Sequence, residues 1–353
     1  MRNSKTSILS ALGVVFSISA LIAAQQANRP ADVLGLVHVG HHVSDIERSI
    51  KFYEALDFKL AEGPSAWTVD KDLNKLGNTP GAESRTAVMK VQSSVSDTPF
   101  TFVLRQYRGV QRQDWGKGNT WDLLASHIDL TVDGSVSALL DKLEGQRLLT
   151  MPTINGLQNP RQQAGFRRYA FISDPDGFTL EYFGKQAPQP GAPPPAPTVS
   201  NSSATTANMD RLGKQAGFNH YATTIVDPTK AQDFYVKVLG GDYPGIETVN
   251  LTTEQVVLHG WFRQAPTNDN LRVELLAFTA NKGKTPPALK FQDINANYAA
   301  FQVSNIETAY ARAKASGATT VSDGGIIDFN KGKAALIRDP DSGTYILLWQ
   351  PPR

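Results

Sequence analysis

The chain has 353 residues, of which 41% are hydrophobic and 19% charged; this is globular composition on the scale of two domains, and it excludes a disordered chain. The formal charge is only +2, with no basic block, which excludes the usual footprint of a nucleic-acid partner. Cysteine is absent, so disulfides, thiolate metal sites, iron–sulfur clusters and Cys nucleophiles are all excluded, and imidazole chemistry must draw on His38, His41, His42, His127, His220 and His259.

In chain order, Arg2 and Lys5 precede an apolar run at 8–24 that ends in small residues. This is the pattern of a secretory signal peptide cleaved after Ala24, so export to the periplasm or beyond is expected. An uncleaved membrane anchor is the alternative, because the run is at the short limit for crossing a bilayer. No other stretch is long and apolar enough to span a membrane, so no stable insertion is expected after cleavage.

A strand at 36–43 alternates apolar and polar residues and carries His38, His41 and His42. His42 shares a face with His38, and His41 points the other way. A Ser44-Asp45 cap opens a helix at 44–53, with Ile46, Ile50 and Tyr53 on one face. The Gly/Pro-rich segment 61–84 is a lid candidate, with a solvated insertion as the alternative. A strand at 102–107 follows. Trp115 and Trp121 flank a loop and read as pocket walls or core. His127 opens a second strand, a helix at 135–145 follows it, and Asp174-Pro175-Asp176-Gly177 forms a tight turn into a strand at 178–183.

The stretch 187–198 is rich in Pro and is followed by small polar residues, which marks 187–212 as a linker between domains at 33–186 and 213–351. The sequence repeats across it. His38, Asp45 and Phe52-Tyr53 recur at one constant offset as His220, Asp227 and Phe234-Tyr235. Within the halves, the run from His127 to Val132 resembles that from Tyr298 to Val303, and helical stretches at 135–145 and 306–317 follow them. Asp174-Pro175-Asp176-Gly177 has its partner in Asp339-Pro340-Asp341-Ser342-Gly343. The prediction is an α+β fold of four βαβββ modules, two per domain.

These residues resemble the vicinal oxygen chelate superfamily, which includes glyoxalase I, extradiol dioxygenases, fosfomycin resistance proteins and bleomycin-binding proteins. The resemblance rests on His-x-x-x-x-Val-Ser-Asp with a following Ser-x-x-Phe-Tyr, and on Asp-Pro-Asp-Gly-x-x-x-Glu. It covers 33–185 and, less fully, 214–350. It implies paired modules whose sheets form a cup, with metal ligands on the first and last strand of each module. Carried over, the implied ligands in the first domain are His38, His127 and Glu181. The fourth position falls on Val103 or Arg105, neither a carboxylate. Such a His-His-Glu set implies Fe(II) or Mn(II), with Zn(II) also acceptable. Glu181 and Arg105 are the candidate catalytic residues, Arg105 as a partner for an anionic substrate group. In the second domain the matching positions are His220, Glu274, Tyr298 and Ile346 or Leu347, which reads as a degenerate site.

The implied function is a metal-dependent enzyme acting on a small metabolite whose oxygens the metal chelates and polarises. A glyoxalase-like isomerase would use one more carboxylate than this set holds. An extradiol dioxygenase matches the ligands, but its further acid–base His is missing between 133 and 219, and its Tyr position is Phe171. A thiol transferase of the fosfomycin type is disfavoured by export. The alternative is a non-catalytic small-molecule binding or sequestration protein on the same fold.

Overall fold

The structure is a computed structural model, and it describes residues 30–115, 122–149, 169–184, 215–243, 247–250, 254–267 and 269–352. The expected signal segment, the linker and Trp121 lie outside the described residues. Module one contains β1 (Val33–Val43), α1 (Ile46–Ala55), β2 (Lys59–Glu62), α2 (Lys71–Gly77), β3 (Glu83–Val91) and β4 (Phe100–Arg108). Module two contains β5 (Ser126–Val132), α3 (Val136–Gly145), β6 (Tyr169–Ser173) and β7 (Thr179–Gly184). Module three contains β8 (Gly217–Ile225), α4 (Pro228–Lys237), β9 (Glu247–Asn250), β10 (Glu254–Gln264) and β11 (Asp269–Phe278). Module four contains β12 (Tyr298–Val303), α5 (Ile306–Ala315), β13 (Thr319–Thr320), β14 (Ile327–Phe329), β15 (Gly332–Arg338) and β16 (Tyr345–Gln350).

The repeat is physical as well as sequential. Asp45 caps α1 by accepting from the backbone N–H of Glu47 and Arg48, and Asp227 caps α4 by accepting from Thr229 and Lys230. Ile46, Ile50 and Tyr53 all face the core, as the helical spacing requires. In each module the first strand runs parallel to the last: β1 with β4, β5 with β7, β8 with β11 and β12 with β16.

The modules join into one 16-stranded sheet, and the joins cross the two halves. β1 pairs antiparallel with β12, and β5 pairs antiparallel with β8. The sheets of modules one and four therefore form one unit, and those of modules two and three another. The paired modules expected from the sequence are thus joined strand to strand across the halves, module one with four and module two with three. The module-opening strands are the edges a module leaves unpaired, and each is satisfied by a partner from the opposite half. The fit at one join is specific. Gly40 lies opposite Tyr298, whose ring occupies the space a side chain would need: a Cβ there would sit 1.9 Å from Tyr298 Cε1. At the other join the roles are taken by Ala222 and His127.

The halves are held together elsewhere, by the Asp-Pro-Asp turns. Asp176 accepts from the Ser44 N–H (2.9 Å) and from Arg48 (2.7 Å), so the turn of module two docks on the start of α1. Asp341 accepts from the N–H of Val226 (2.6 Å) and Asp227 (3.1 Å), which docks module four on α4 in the same way. His41 belongs to this layer. Its Nδ1 faces Asn297 Oδ1 (2.7 Å) and its Nε2 faces Asp174 Oδ2 (2.8 Å), to which Tyr53 also donates (3.1 Å). Burial alone would lower the His41 pKa, but the charge and hydrogen bond of Asp174 outweigh it and hold the imidazole protonated above its ordinary value.

Candidate metal centre

The β5–β8 join brings four adjacent strands, in the order β11, β8, β5, β7, under one concavity. Each contributes one donor. His127 is on β5 and His220 on β8. Register places Glu181 of β7 level with Asp129, and Glu274 of β11 level with Ala222, so both carboxylates fall on the face that carries the imidazoles.

The donor atoms converge. His127 Nε2 lies 3.2 Å from Glu181 Oε2, His220 Nε2 lies 3.3 Å from Glu274 Oε2, and His220 Nε2 lies 3.8 Å from Glu181 Oε2. One ligand atom from each of His127, His220 and Glu274 lies within 4.8 Å of the others. Both Nε2 atoms are buried, and neither is in hydrogen-bonding geometry with any group, although carboxylate oxygens are this close. Atoms aimed at a common point rather than at each other behave this way. Metal–ligand bonds of about 2.0–2.2 Å place neighbouring donors ~3–3.5 Å apart, so the set fits a divalent cation. The histidine side chains are 5% and 4% exposed and both carboxylates 12%, so the centre is largely shielded and the carboxylates are its more open part.

The electrostatics agree with a cation-binding role. Burial lowers the His220 pKa, which keeps the imidazole neutral and able to donate a lone pair. Asp129, two residues along β5 from His127 and fully buried, adjoins the centre: its Oδ1 lies 3.8 Å from His220 Nδ1, and one ligand atom from each of Asp129, Glu181 and His220 lies within 4.8 Å of the others. Burial, then the charges of Glu181 and Glu274, push its carboxyl well above the usual range.

His38 and Arg105 are not in this centre. Because β1 joins β12 and not β5, His38 faces the concavity of modules one and four, where its Nε2 lies 3.3 Å from the Tyr298 hydroxyl. Its pKa is lowered to about 3, first by burial and then by the Arg105 charge. The Arg105 guanidinium sits 5.9 Å over the Tyr298 ring and donates through Nε to Thr86 Oγ1 (3.3 Å). The expected grouping of His38 and Arg105 with His127 and Glu181 is thus corrected by the strand pairing. The structure brings together His127 and Glu181 with His220 and Glu274. The signal for this set was present in the equal spacing of the two His–Glu pairs, but the choice of partner strand was not.

Register also resolves the empty positions of the other concavity. Val103 stands opposite Gly40 as Glu274 stands opposite Ala222, and Leu347 stands opposite Ala300 as Glu181 stands opposite Asp129. Of four ligand positions, only His38 remains. Part of the segment expected as a lid fills this space. Leu73 and Leu76 of α2 pack with Tyr107, Phe291, Tyr298 and Leu347 in a hydrophobic cluster. His42 is buried in the same cluster, edge-on to Tyr107 and Phe291. Trp115 is tied to it by donating to Asp293 (3.0 Å).

The fold and the repeat agree with comparisons to known proteins. The model of the glyoxalase/bleomycin resistance protein/dioxygenase superfamily matches residues 35–182 and 217–346. No curated protein matches the chain in sequence. Glyoxalase I from Zea mays is 17% identical, with a TM-score of 0.53 over 89% of this chain and 92% of that one. A point mutant of the maize enzyme is 16% identical, with a TM-score of 0.53 over 94% of this chain and 96% of that one. These likenesses concern the fold, while the family match spans most of the sequence: the chain belongs to the glyoxalase/bleomycin resistance protein/dioxygenase superfamily.

Proposed function

We propose that this protein is a divalent-metal-dependent enzyme that moves a proton on a small, oxygen-rich metabolite, in the manner of an isomerase or lyase. The observation that carries this is the convergence of two imidazoles and two carboxylates, both Nε2 atoms being buried without hydrogen bonds. A bound Zn(II), Mn(II) or Fe(II) would supply Lewis acidity toward vicinal substrate oxygens. His127 and His220 would hold it through Nε2. Of the two carboxylates, one retains its ligand role and the other accepts a proton at Oε from the carbon beside the polarised carbonyl and returns it to the neighbouring atom. Glu181 and Glu274 suit this work because both are partly open to the concave side. The extra carboxylate that an isomerase uses is Glu274, contributed by module three. A ring-cleaving dioxygenase is less well served, since four protein donors leave fewer positions for substrate and oxygen together. The N-terminal segment supports action outside the cytoplasm.

The test is elemental analysis of the purified full chain, followed by turnover assays with 2-oxoaldehyde adducts and catechols. About one divalent metal per chain, lost in Glu274→Ala, with turnover of the former class, supports the reading. Metal without turnover of any such substrate favours a binding or sequestration role. No metal under metal-replete conditions overturns it.

A further inference from the structure

Behind His220 lies a second layer of polar side chains that the proposed chemistry does not use. Asn219, Arg272 and Asp129 are all buried. Asn219 occupies a β-bulge: Asp129 pairs with His220 and Leu130 with Phe218, so Asn219 is the residue left over. Its amide is fixed from both ends. Arg272 Nη1 donates to Oδ1 (3.0 Å), and Nδ2 donates to Thr131 Oγ1 (3.3 Å) and Ser94 Oγ (3.3 Å). The oxygen so oriented lies 3.2 Å from His220 Nδ1.

An oxygen that accepts from Arg272 has no proton to give, so His220 Nδ1 must be the donor in this contact. That leaves the Nε2 lone pair free, pointing at the carboxylates. The competing arrangement puts the proton on Nε2, which lies 3.3 Å from Glu274 Oε2 but is not aligned for a hydrogen bond with it as the side chains stand. Which nitrogen carries the proton therefore depends on what faces Nδ1.

The duplicated half serves as an internal control. The bulge recurs at the β1–β12 join, where Leu36 pairs with Phe301 and His38 with Ala300, and there the residue left over is Val37. The position of Asp129 is held by Ala300, and register places Thr101 where module three has Arg272. The buried amide, carboxyl and guanidinium are present where the four donors are, and Val37, Ala300 and Thr101 take their places where they are not.

We infer that Asn219, held by Arg272, is a positioning residue that fixes His220 as the Nδ1–H tautomer and so presents Nε2 to a divalent cation. The affinity part of this inference rests on the metal-centre reading; the tautomer part does not.

Two measurements on the full chain separate them. Multiple-bond ¹⁵N NMR of the metal-free, histidine-labelled protein reports which His220 nitrogen is protonated, and competition with a chromophoric chelator reports zinc affinity. The expected result is Nδ1–H in the unsubstituted protein. Asn219→Val, the residue of the other half, should move the proton to Nε2 and weaken zinc binding ~10- to 100-fold. Asn219→Asp, which keeps an acceptor, should retain both the tautomer and most of the affinity. An Nε2–H signal in the unsubstituted protein overturns the inference, whether or not Asn219→Val folds. So does an unchanged zinc affinity in an Asn219→Val protein that keeps the original thermal unfolding profile. Failure of the unsubstituted protein to bind zinc would instead overturn the metal-centre reading, with the NMR result still deciding the tautomer.

Discussion

The two concavities of this molecule are built from the same module twice over, and they have diverged into opposite things. That of modules two and three keeps two imidazoles and two carboxylates within a few ångströms, all partly or wholly shielded. That of modules one and four keeps one imidazole and fills the rest with Val103, Tyr298, Leu347 and the apolar face of α2. The difference teaches that the fold sets positions, not chemistry. A buried carboxylate is tolerable only with a partner for its charge. Where the donor set is lost, the same positions turn apolar and the space is filled by packing, and His38 is left hydrogen-bonded to Tyr298 rather than aimed at a shared point.

The largest expected effect breaks the comparison directly. His220→Ala or Glu274→Ala should reduce bound metal from about one per chain to a small fraction, more than the ~100-fold cost of losing a partner behind a ligand. His38→Ala should leave metal content unchanged. Elemental analysis after dialysis reads both, and metal loss in His38→Ala would place the centre in the wrong concavity.

Next in size is the reciprocal change. Leu347→Glu puts a carboxylate at the position equivalent to Glu181, in a space packed with apolar side chains. It should bind no second metal and should cost about 3 kcal/mol or more in urea unfolding. Gain of a second metal per chain would show that the packed concavity still opens.

Gly40→Ala should destabilise by about 3 kcal/mol, because the added Cβ meets the Tyr298 ring. In the Gly40→Ala, Tyr298→Ala double variant much of that cost should disappear, a coupling that unfolding of all four proteins measures. Additive costs would mean that β1 and β12 do not meet as described. Ala222→Gly, at the equivalent position of the other join, should have a much smaller effect.

The smallest effect is pH-dependent. His41 faces two acceptors, and its pKa is raised in the folded protein. Its contribution is therefore full below the unfolded value of about 6.5 and declines as pH rises through the folded value. The stability difference between the unsubstituted protein and His41→Gln should be larger near pH 5.5 than near pH 8.5. Its counterpart Thr223 carries no charge and should show no such trend when changed to Ala. A His41→Gln difference that is flat with pH would mean that His41 is neutral in its cage.

Much of this was legible in the linear sequence, for reasons that are local. The helix at 44–53 was marked by an Asp cap and by apolar residues at helical spacing, and it is displaced by only two residues in the structure, to 46–55. The Asp-Pro-Asp turns were visible because proline and glycine constrain the backbone within a few residues. The repeat made four modules readable, and the common His–Glu spacing marked Glu181 and Glu274 as equivalent positions.

What sequence could not decide is which module-opening strands lie side by side. Strand pairing between modules depends on long-range shape, such as Gly40 accepting the Tyr298 ring, and every module offers a similar edge. Sequence alone therefore established the modules and the fold family; it offered His38, His127 and Glu181 as one ligand set and read His220 and Glu274 as the remnant of another. Only the tertiary structure decided that His127 and Glu181 share a centre with His220 and Glu274 while His38 and Arg105 face the other way. A metal centre is a statement about a few ångströms of distance, and those distances are fixed by the β5–β8 join, which no local rule along the chain encodes.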